Sequence, residues 1–194
     1  MKTKEKIKDT LLRLLEEHPA DDVTVKMFCI ESGLSKQTLY SHYYSLMDAL
    51  DDAYRTDLEE GLRGCNTYHN WVEGFKKILE LLFAKRKIYL HIYNSSRQEE
   101  FMAIIARHGR ILVEKGIDDC ASDKGMSVSE KDKHFMVRFY MNVFMGNIKD
   151  FFDSRMDIEP GYLADMCDVM MRHHIRHTLD NLQALKAGTF RSCN

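Results

Sequence analysis

Only two prolines, Pro19 and Pro160, interrupt the 194 residues of this chain, and neither falls inside a stretch whose apolar residues recur at helical spacing. Proline breaks a helix interior by removing a backbone donor and clashing with the carbonyl one turn back. Its scarcity leaves long helices permitted almost everywhere. No run alternates apolar and polar residues at the period of two that a half-buried strand needs. The chain is therefore predicted to be all-α.

The periodicity divides the sequence further. Helix one runs from about Lys4 to Glu17, with Ile7, Leu11, Leu14 and Leu15 on one stripe, and ends before His18-Pro19-Ala20-Asp21-Asp22. Thr24 is placed to cap a second helix, with Val25, Phe28 and Cys29 facing inward. Gly33 then supplies a turn residue that adopts positive φ without steric cost, and Ser35 caps a third helix, Lys36 to Tyr43. Leu39 and Tyr43 bring that third helix onto the small core. A fourth helix starts near Ser45 to Asp48 and loses definition between Gly61 and Gly64. Beyond it lie apolar helical segments at Trp71 to Ser95 and Arg97 to Gly116, a loop at Lys124 to Ser129, and two long helices, about Ser129 to Asp153 and Pro160 to Leu185.

Val23 to Asp52 thus reads as a helix-turn-helix followed by a connecting helix. From Ser32 to Met47 there is no acidic residue, so phosphates meet no carboxylate there. Gln37 can bond an adenine edge bidentately, Thr38 can offer a methyl to thymine or a hydroxyl to a base or phosphate, and Lys36 can reach guanine or the backbone. Tyr40 and His42 suit phosphates, which set register rather than sequence. Lys2, Lys4, Lys6 and Lys8 against Glu5 form a basic arm beside the motif, or else a solvated helix face.

Composition narrows the classes. With 44% hydrophobic residues the chain can bury a core, and a formal net charge of -2 confines any nucleic-acid contact to a locally positive face. The five cysteines (Cys29, Cys65, Cys120, Cys167, Cys193) are odd in number, scattered, and form no C-x-x-C pair, which argues against a disulfide framework or zinc finger. The amphipathic, charged amino terminus does not read as a secretory signal, and no apolar segment approaches the roughly 20 residues that span a bilayer. A cytoplasmic location is expected. No phosphate loop, dinucleotide turn, nucleophile elbow or H-E-x-x-H occurs, so no enzyme activity and no cofactor are expected. His173 and His177 stand one helical turn apart, a spacing that lets two imidazoles share a metal, but no third ligand is fixed and a polar surface is the simpler account.

The run Thr24-Val25, Glu31-Ser32-Gly33-Leu34-Ser35, Thr38-Leu39-Tyr40, His42-Tyr43, Ser45, Asp48-Ala49-Leu50 resembles the amino-terminal domain of the tetracycline-repressor (TetR/AcrR) family, over about residues 4 to 60. Phe139-Tyr140, Gly146, Phe151-Phe152, Ile158-Glu159-Pro160 and Leu163 are similar to the regulatory domain of relatives of the dihydroxyacetone kinase regulator, over about residues 135 to 170. The resemblance implies residues 1–50 as a helix-turn-helix domain and 51–194 as a helical ligand-sensing and dimerisation domain. It implies a homodimeric repressor whose two recognition helices enter successive major grooves of a palindromic operator in double-stranded DNA. The expected DNA-contacting set is Lys4, Thr24, Ser35, Lys36, Gln37, Thr38, Tyr40, His42, Tyr43 and Tyr44. One departure stands out: Leu46 occupies the position where the family usually has a phosphate-gripping lysine.

Dimer contacts are expected from the last two long helices. Phe135, Phe139, Val143, Phe144 and Phe151 on one, with Leu163, Met166, Met170, Ile175, Leu179 and Leu182 on the other, exceed what one hairpin hides. The resemblance also implies a small-molecule effector in a carboxy-terminal cavity, acting through helix four. Candidate lining residues are Trp71, Phe75, Leu82, Tyr89, Tyr93, Phe101, Ile105, Phe139 and Phe144, with His91, Asn94, Arg107, His108, Asn142 and Asn147 as polar groups; ordinary bundle core is the simpler account of each apolar one. A helical co-regulator or protein-interaction module without tight DNA binding is the alternative, on the near-neutral charge and Leu46.

Overall fold

The computed structural model describes residues 2–190. Helices follow one another as α1 (Lys2–Glu17), α2 (Val25–Ser32), α3 (Lys36–Tyr40), α4 (Leu46–Gly61), a 3-10 turn (Tyr68–Asn70), α5 (Trp71–Ala84), α6 (Arg86–Tyr93), α7 (Gln98–Asp123), α8 (Glu130–Asp153), α9 (Pro160–Met171) and α10 (His174–Lys186). No strand occurs among the described residues, as the all-α expectation requires. Met1 and Cys193 lie outside the described residues; Cys29, Cys65, Cys120 and Cys167 are free thiols.

The amino-terminal helices form because their apolar stripes meet. Ile7, Leu11 and Leu14 of α1 are fully buried with Phe28 of α2, Leu39 of α3 and Leu50 of α4, each such side chain contributing about 1.5–3 kcal/mol of transfer free energy. The carboxy-terminal half of α4, with Tyr54 and Leu58, is buried in the same continuous core as α5, α6 and the first half of α7. The expected boundary at residue 50 therefore falls inside α4, which is one strut through both units. A second core, built from Ile117, Cys120, Val137, Tyr140 and Leu179, lies where α7, α8 and α10 meet.

Four boundaries differ from expectation. The segment Trp71 to Ser95 breaks at Lys85, whose φ of -110° and ψ of 30° turn α5 into α6. The next helix continues past Gly116 to Asp123. The last long helix is two: Arg172 leaves helical geometry and His173 takes a left-handed φ of 61°, a conformation that costs a residue bearing Cβ. The break lets α10 return onto α7 and bury Leu179 completely. Finally, α3 stops at Tyr40, where the Ser41 hydroxyl donates to the Thr38 carbonyl.

Two contacts lock α6 against the amino-terminal unit. His91 Nδ1 donates to the Leu15 carbonyl at 2.8 Å, satisfying one of the acceptors that the end of α1 leaves free. Asp21 accepts from the Ser96 hydroxyl at 2.6 Å and from its backbone N–H at 3.1 Å, and these bonds lower its pKa.

Candidate functional site

Hydroxyl caps set the helix-turn-helix. The Thr24 hydroxyl accepts from Met27 N at 3.1 Å and the Ser35 hydroxyl from Thr38 N at 3.0 Å, while Gly33 closes α2 with φ of 64°. Leu39, fully buried, anchors α3, and the opposite side carries Lys36, Gln37 and Tyr40 into solvent. Thr38 is half-buried, its hydroxyl 2.9 Å from that of Ser35. His42 is exposed and Tyr44 stands 94% exposed, so these residues share one uncovered face.

Tyr43 is the exception. It is only 4% exposed and its phenol donates to Asp52 at 2.7 Å. Burial first, then the bond to Asp52 and that carboxylate's charge, push the phenol well above its ordinary pKa. Tyr43 is therefore buried rather than presented to solvent with the rest of the expected set, because α3 ends before it and the turn rotates it into the core. Of the two forms expected for the amino-terminal lysines, the helical one is present: Lys2 onward is already α1. Lys4 sits 5.1 Å over the Tyr43 ring, and Lys8 donates to Thr56 at 3.2 Å and pairs with Asp52 at 3.6 Å.

Leu46, at the family's lysine position, is 7% exposed and packs in the core. The start of α4 offers instead the Ser45 cap and Tyr44, whose backbone N–H donates to Asp48 at 3.0 Å.

Between the two cores lies a cavity of about 110 Å³ open to the centre of a water molecule. It brings together four of the expected residues, Ile105 and an aromatic cluster of Trp71, Phe75 and Phe144, in which Trp71 meets Phe144 edge-on at 5.8 Å and Phe75 meets it at 5.1 Å. The others are elsewhere. Tyr89 stacks on Phe101 at 5.4 Å and Tyr93 on Phe152 at 4.6 Å within the main core, where Leu82 is also fully buried. Phe139 is on the surface. None of the six expected polar groups lines the cavity. Asn94 and Asn147 donate to carbonyls of their own helices, while Arg107 and His108 reach Asp51.

Sequence reasoning missed the other wall residues of α7 and α8, Gly109, Leu112, Gly116, Met141 and Met145, and those from Tyr54 and Leu58 of α4 with Leu62 just after it. Gly109 and Gly116, two turns apart on one helix face, were the available signal. Gly74 also shapes the site: a Cβ there would lie 2.4 Å from the Cys65 carbonyl oxygen, so only glycine lets that loop rest on α5.

α4 is clamped to the carboxy-terminal unit by polar pairs. Asp51 accepts from His108 Nε2 at 2.7 Å and pairs with Arg107, and Lys85 meets Asp57 at 2.5 Å.

The expected dimer residues divide. Phe151 and Leu179 are buried within the protomer, and Leu163, Ile175 and Leu182 are half-buried. Phe135 and Phe139 of α8, with Met166 and Met170 of α9, remain exposed, and Tyr162 and Val169 of α9, outside the expected set, are exposed with them.

Among the described residues no helix is long and apolar enough to cross a membrane, and no group of three or more His, Cys, Asp or Glu could hold a metal. Comparison with curated proteins gives no match. Among solved structures, the "Dihydroxyacetone kinase operon activator DhaS" shares the fold with a TM-score of 0.64, over 90% of this chain and 97% of that one, at 16% identity. The TetR-type family profile described as "Transcriptional regulator C-terminal region" matches residues 69–173, more than half of the chain. With a capped helix-turn-helix in front of that region, the chain belongs to the TetR family of transcriptional regulators.

Proposed function

We propose that the protein is a homodimeric, operator-binding regulator whose α3 enters the major groove and whose cavity admits a small-molecule effector. The observation that carries this is the uncovered face of α3, where Lys36, Gln37 and Tyr40 point to solvent while Leu39 pins the helix from behind. Gln37 and Thr38 read bases; Lys36, Tyr40, His42, Tyr44 and Lys4 hold phosphates.

Exposed Phe135, Phe139, Tyr162, Met166, Val169 and Met170 support an isologous dimer through α8 and α9, since a soluble monomer rarely leaves so much apolar surface in water. Such a dimer places two α3 helices on half-sites about 34 Å apart, one turn of DNA. Repression follows if the palindrome overlaps a promoter; the DhaS neighbour is named an activator, and a reporter fusion to the selected operator reads the sign for this chain. The protein works where DNA is, in the cytoplasm.

Selection of duplexes from a random pool tests the proposal. The expected result is a palindrome bound at least about 1,000-fold more tightly than random DNA, with affinity falling steeply as salt rises. Failure to enrich any sequence, or weak binding without salt dependence, would leave a helical interaction module in its place.

A further inference from the structure

The cavity has a chemical signature of its own. Its lining contains no Asp, Glu, Lys, Arg or His. Trp71, Phe75 and Phe144 form one wall and Ile105, Met141 and Met145 belong to the others. The polar atoms that border it are largely spoken for. The Tyr140 hydroxyl bonds His174 Nδ1 at 2.9 Å, Thr67 Oγ1 donates to Asn70 at 2.8 Å, the Asn66 carbonyl accepts from Lys115 at 2.7 Å, and Cys65 Sγ accepts from Lys77 at 3.2 Å. The Tyr68 hydroxyl is buried within the wall without a partner. Burial pushes the Tyr68 and Tyr140 phenols up to about 12, so the lining stays uncharged at physiological pH.

Size completes the description. On the measure that gives 110 Å³ here, one water needs about 10–15 Å³, and an engineered apolar cavity of about 150 Å³ stays dry and binds benzene. A charged ligand would surrender its hydration to a wall that returns no countercharge and one unpaired donor, the Tyr68 hydroxyl.

We propose that this cavity selects a neutral, largely apolar molecule of about one ring and excludes carboxylates and phosphates. That the occupant regulates DNA binding rests on the effector role proposed above; the class of occupant does not. Because Tyr54 and Leu58 of α4, and Leu62 just after it, are part of the wall, the same molecule touches the helix that carries the DNA-reading unit.

Trp71 is the only tryptophan and stands in the wall, so its fluorescence reports occupancy directly. The full chain is titrated with 4-nitroanisole, a neutral quencher, and with 4-nitrobenzoate, its anionic counterpart of similar shape. The result expected is saturable quenching by the anisole, with the benzoate binding at least about 100-fold more weakly. Gly116→Leu places a side chain where no atom lies within 4 Å of its Cβ, and Leu112→Phe enlarges a second wall residue; each is expected to abolish the saturable phase while the helical circular dichroism is kept. Comparable or tighter saturation by the benzoate, or strictly linear quenching by both compounds, overturns the proposal. Repeating the titration with operator DNA separates the two ideas: an anisole that saturates Trp71 yet leaves operator affinity unchanged supports the cavity's selectivity and ends the effector role.

Discussion

The Tyr43 phenol donates a 2.7 Å hydrogen bond to Asp52, joining the turn that follows the recognition helix to the second turn of α4. Arg55 bonds the other carboxylate oxygen at 2.6 Å and Lys8 approaches to 3.6 Å from α1. Two helices, α1 and α4, and the turn after α3 therefore meet on one carboxylate, which fixes that turn against α4.

Removing that bond has a defined consequence. Burial alone would raise Asp52, but the hydrogen bonds from Tyr43 and Arg55 and the charge of Lys8 hold it at about 2. A depressed carboxyl stabilises the fold above its unfolded pKa, and the contribution fades as pH falls from about 4 through about 2. Tyr43→Phe is expected to lower stability by about 1 kcal/mol at neutral pH and to flatten the loss of stability over that acid interval. Urea unfolding at pH 7 and at points between 4 and 2 checks both; an unchanged acid slope would mean that Arg55 and Lys8 alone hold the carboxylate.

Gln37→Ala is expected to relax sequence preference at one base pair in each half-site, by about 1–3 kcal/mol per site. Lys36→Ala should instead weaken binding to all sequences evenly and reduce the salt slope by about one per half-site. Competition between the selected operator and its single-base variants separates them. If Gln37→Ala altered neither preference nor affinity, α3 would be read from another side.

The exposed Tyr44 and the buried Leu46 make opposite predictions. Tyr44→Ala is expected to leave stability within about 0.5 kcal/mol, as surface changes do, while lowering affinity for every duplex. Leu46→Ala should cost about 2–5 kcal/mol of stability and touch DNA binding only through the fold. Thermal melts with binding isotherms decide; unaltered DNA affinity in Tyr44→Ala would remove it from the interface.

How far the sequence carried these conclusions depended on what each element needs. The caps at Thr24 and Ser35 were legible because a hydroxyl beside a helix start has one dominant local use. Tyr43 was not, since its direction depends on α3 stopping at Tyr40, a tertiary outcome. The aromatic candidates divided for the same reason: Trp71, Phe75 and Phe144 line the cavity while Tyr89, Tyr93 and Phe101 stack elsewhere, and helical spacing alone places both sets inward. Nor does spacing reveal the break at His173, which is set by the need to return Leu179 onto α7.

Asp51 tests the route from cavity to DNA. With His108 and Arg107 it ties α4 to α7, whose Ile105, Gly109 and Leu112 line the cavity. Asp51→Asn keeps the size of the side chain and removes its charge. If the clamp transmits occupancy, operator affinity without ligand changes little, whereas the ratio of affinities with and without a cavity ligand falls toward one. Isotherms at zero and saturating ligand measure that ratio, and an undiminished ratio would place the coupling in the α4 wall residues alone.

The dimer surface gives the last prediction. Phe139 was a cavity candidate by spacing, yet it faces out beside Phe135, its ring nearly parallel to that of His174 at 5.8 Å. Gly146 follows on the same exposed side of α8, with nothing within 4 Å of an added Cβ, so a second helix can approach closely there. In a two-fold interface each substitution is felt twice, because each patch is present in both partners. Phe135→Asp with Phe139→Asp would bring four carboxylates into it, whose desolvation no partner offsets. The double variant is expected to sediment as a folded monomer at micromolar concentration, with the wild type a dimer. Its affinity for the full palindrome should fall by about 100-fold or more, while binding to an isolated half-site is retained, since only the linkage of two sites has been lost. A double variant that still sediments as a dimer would move the interface away from this face of α8.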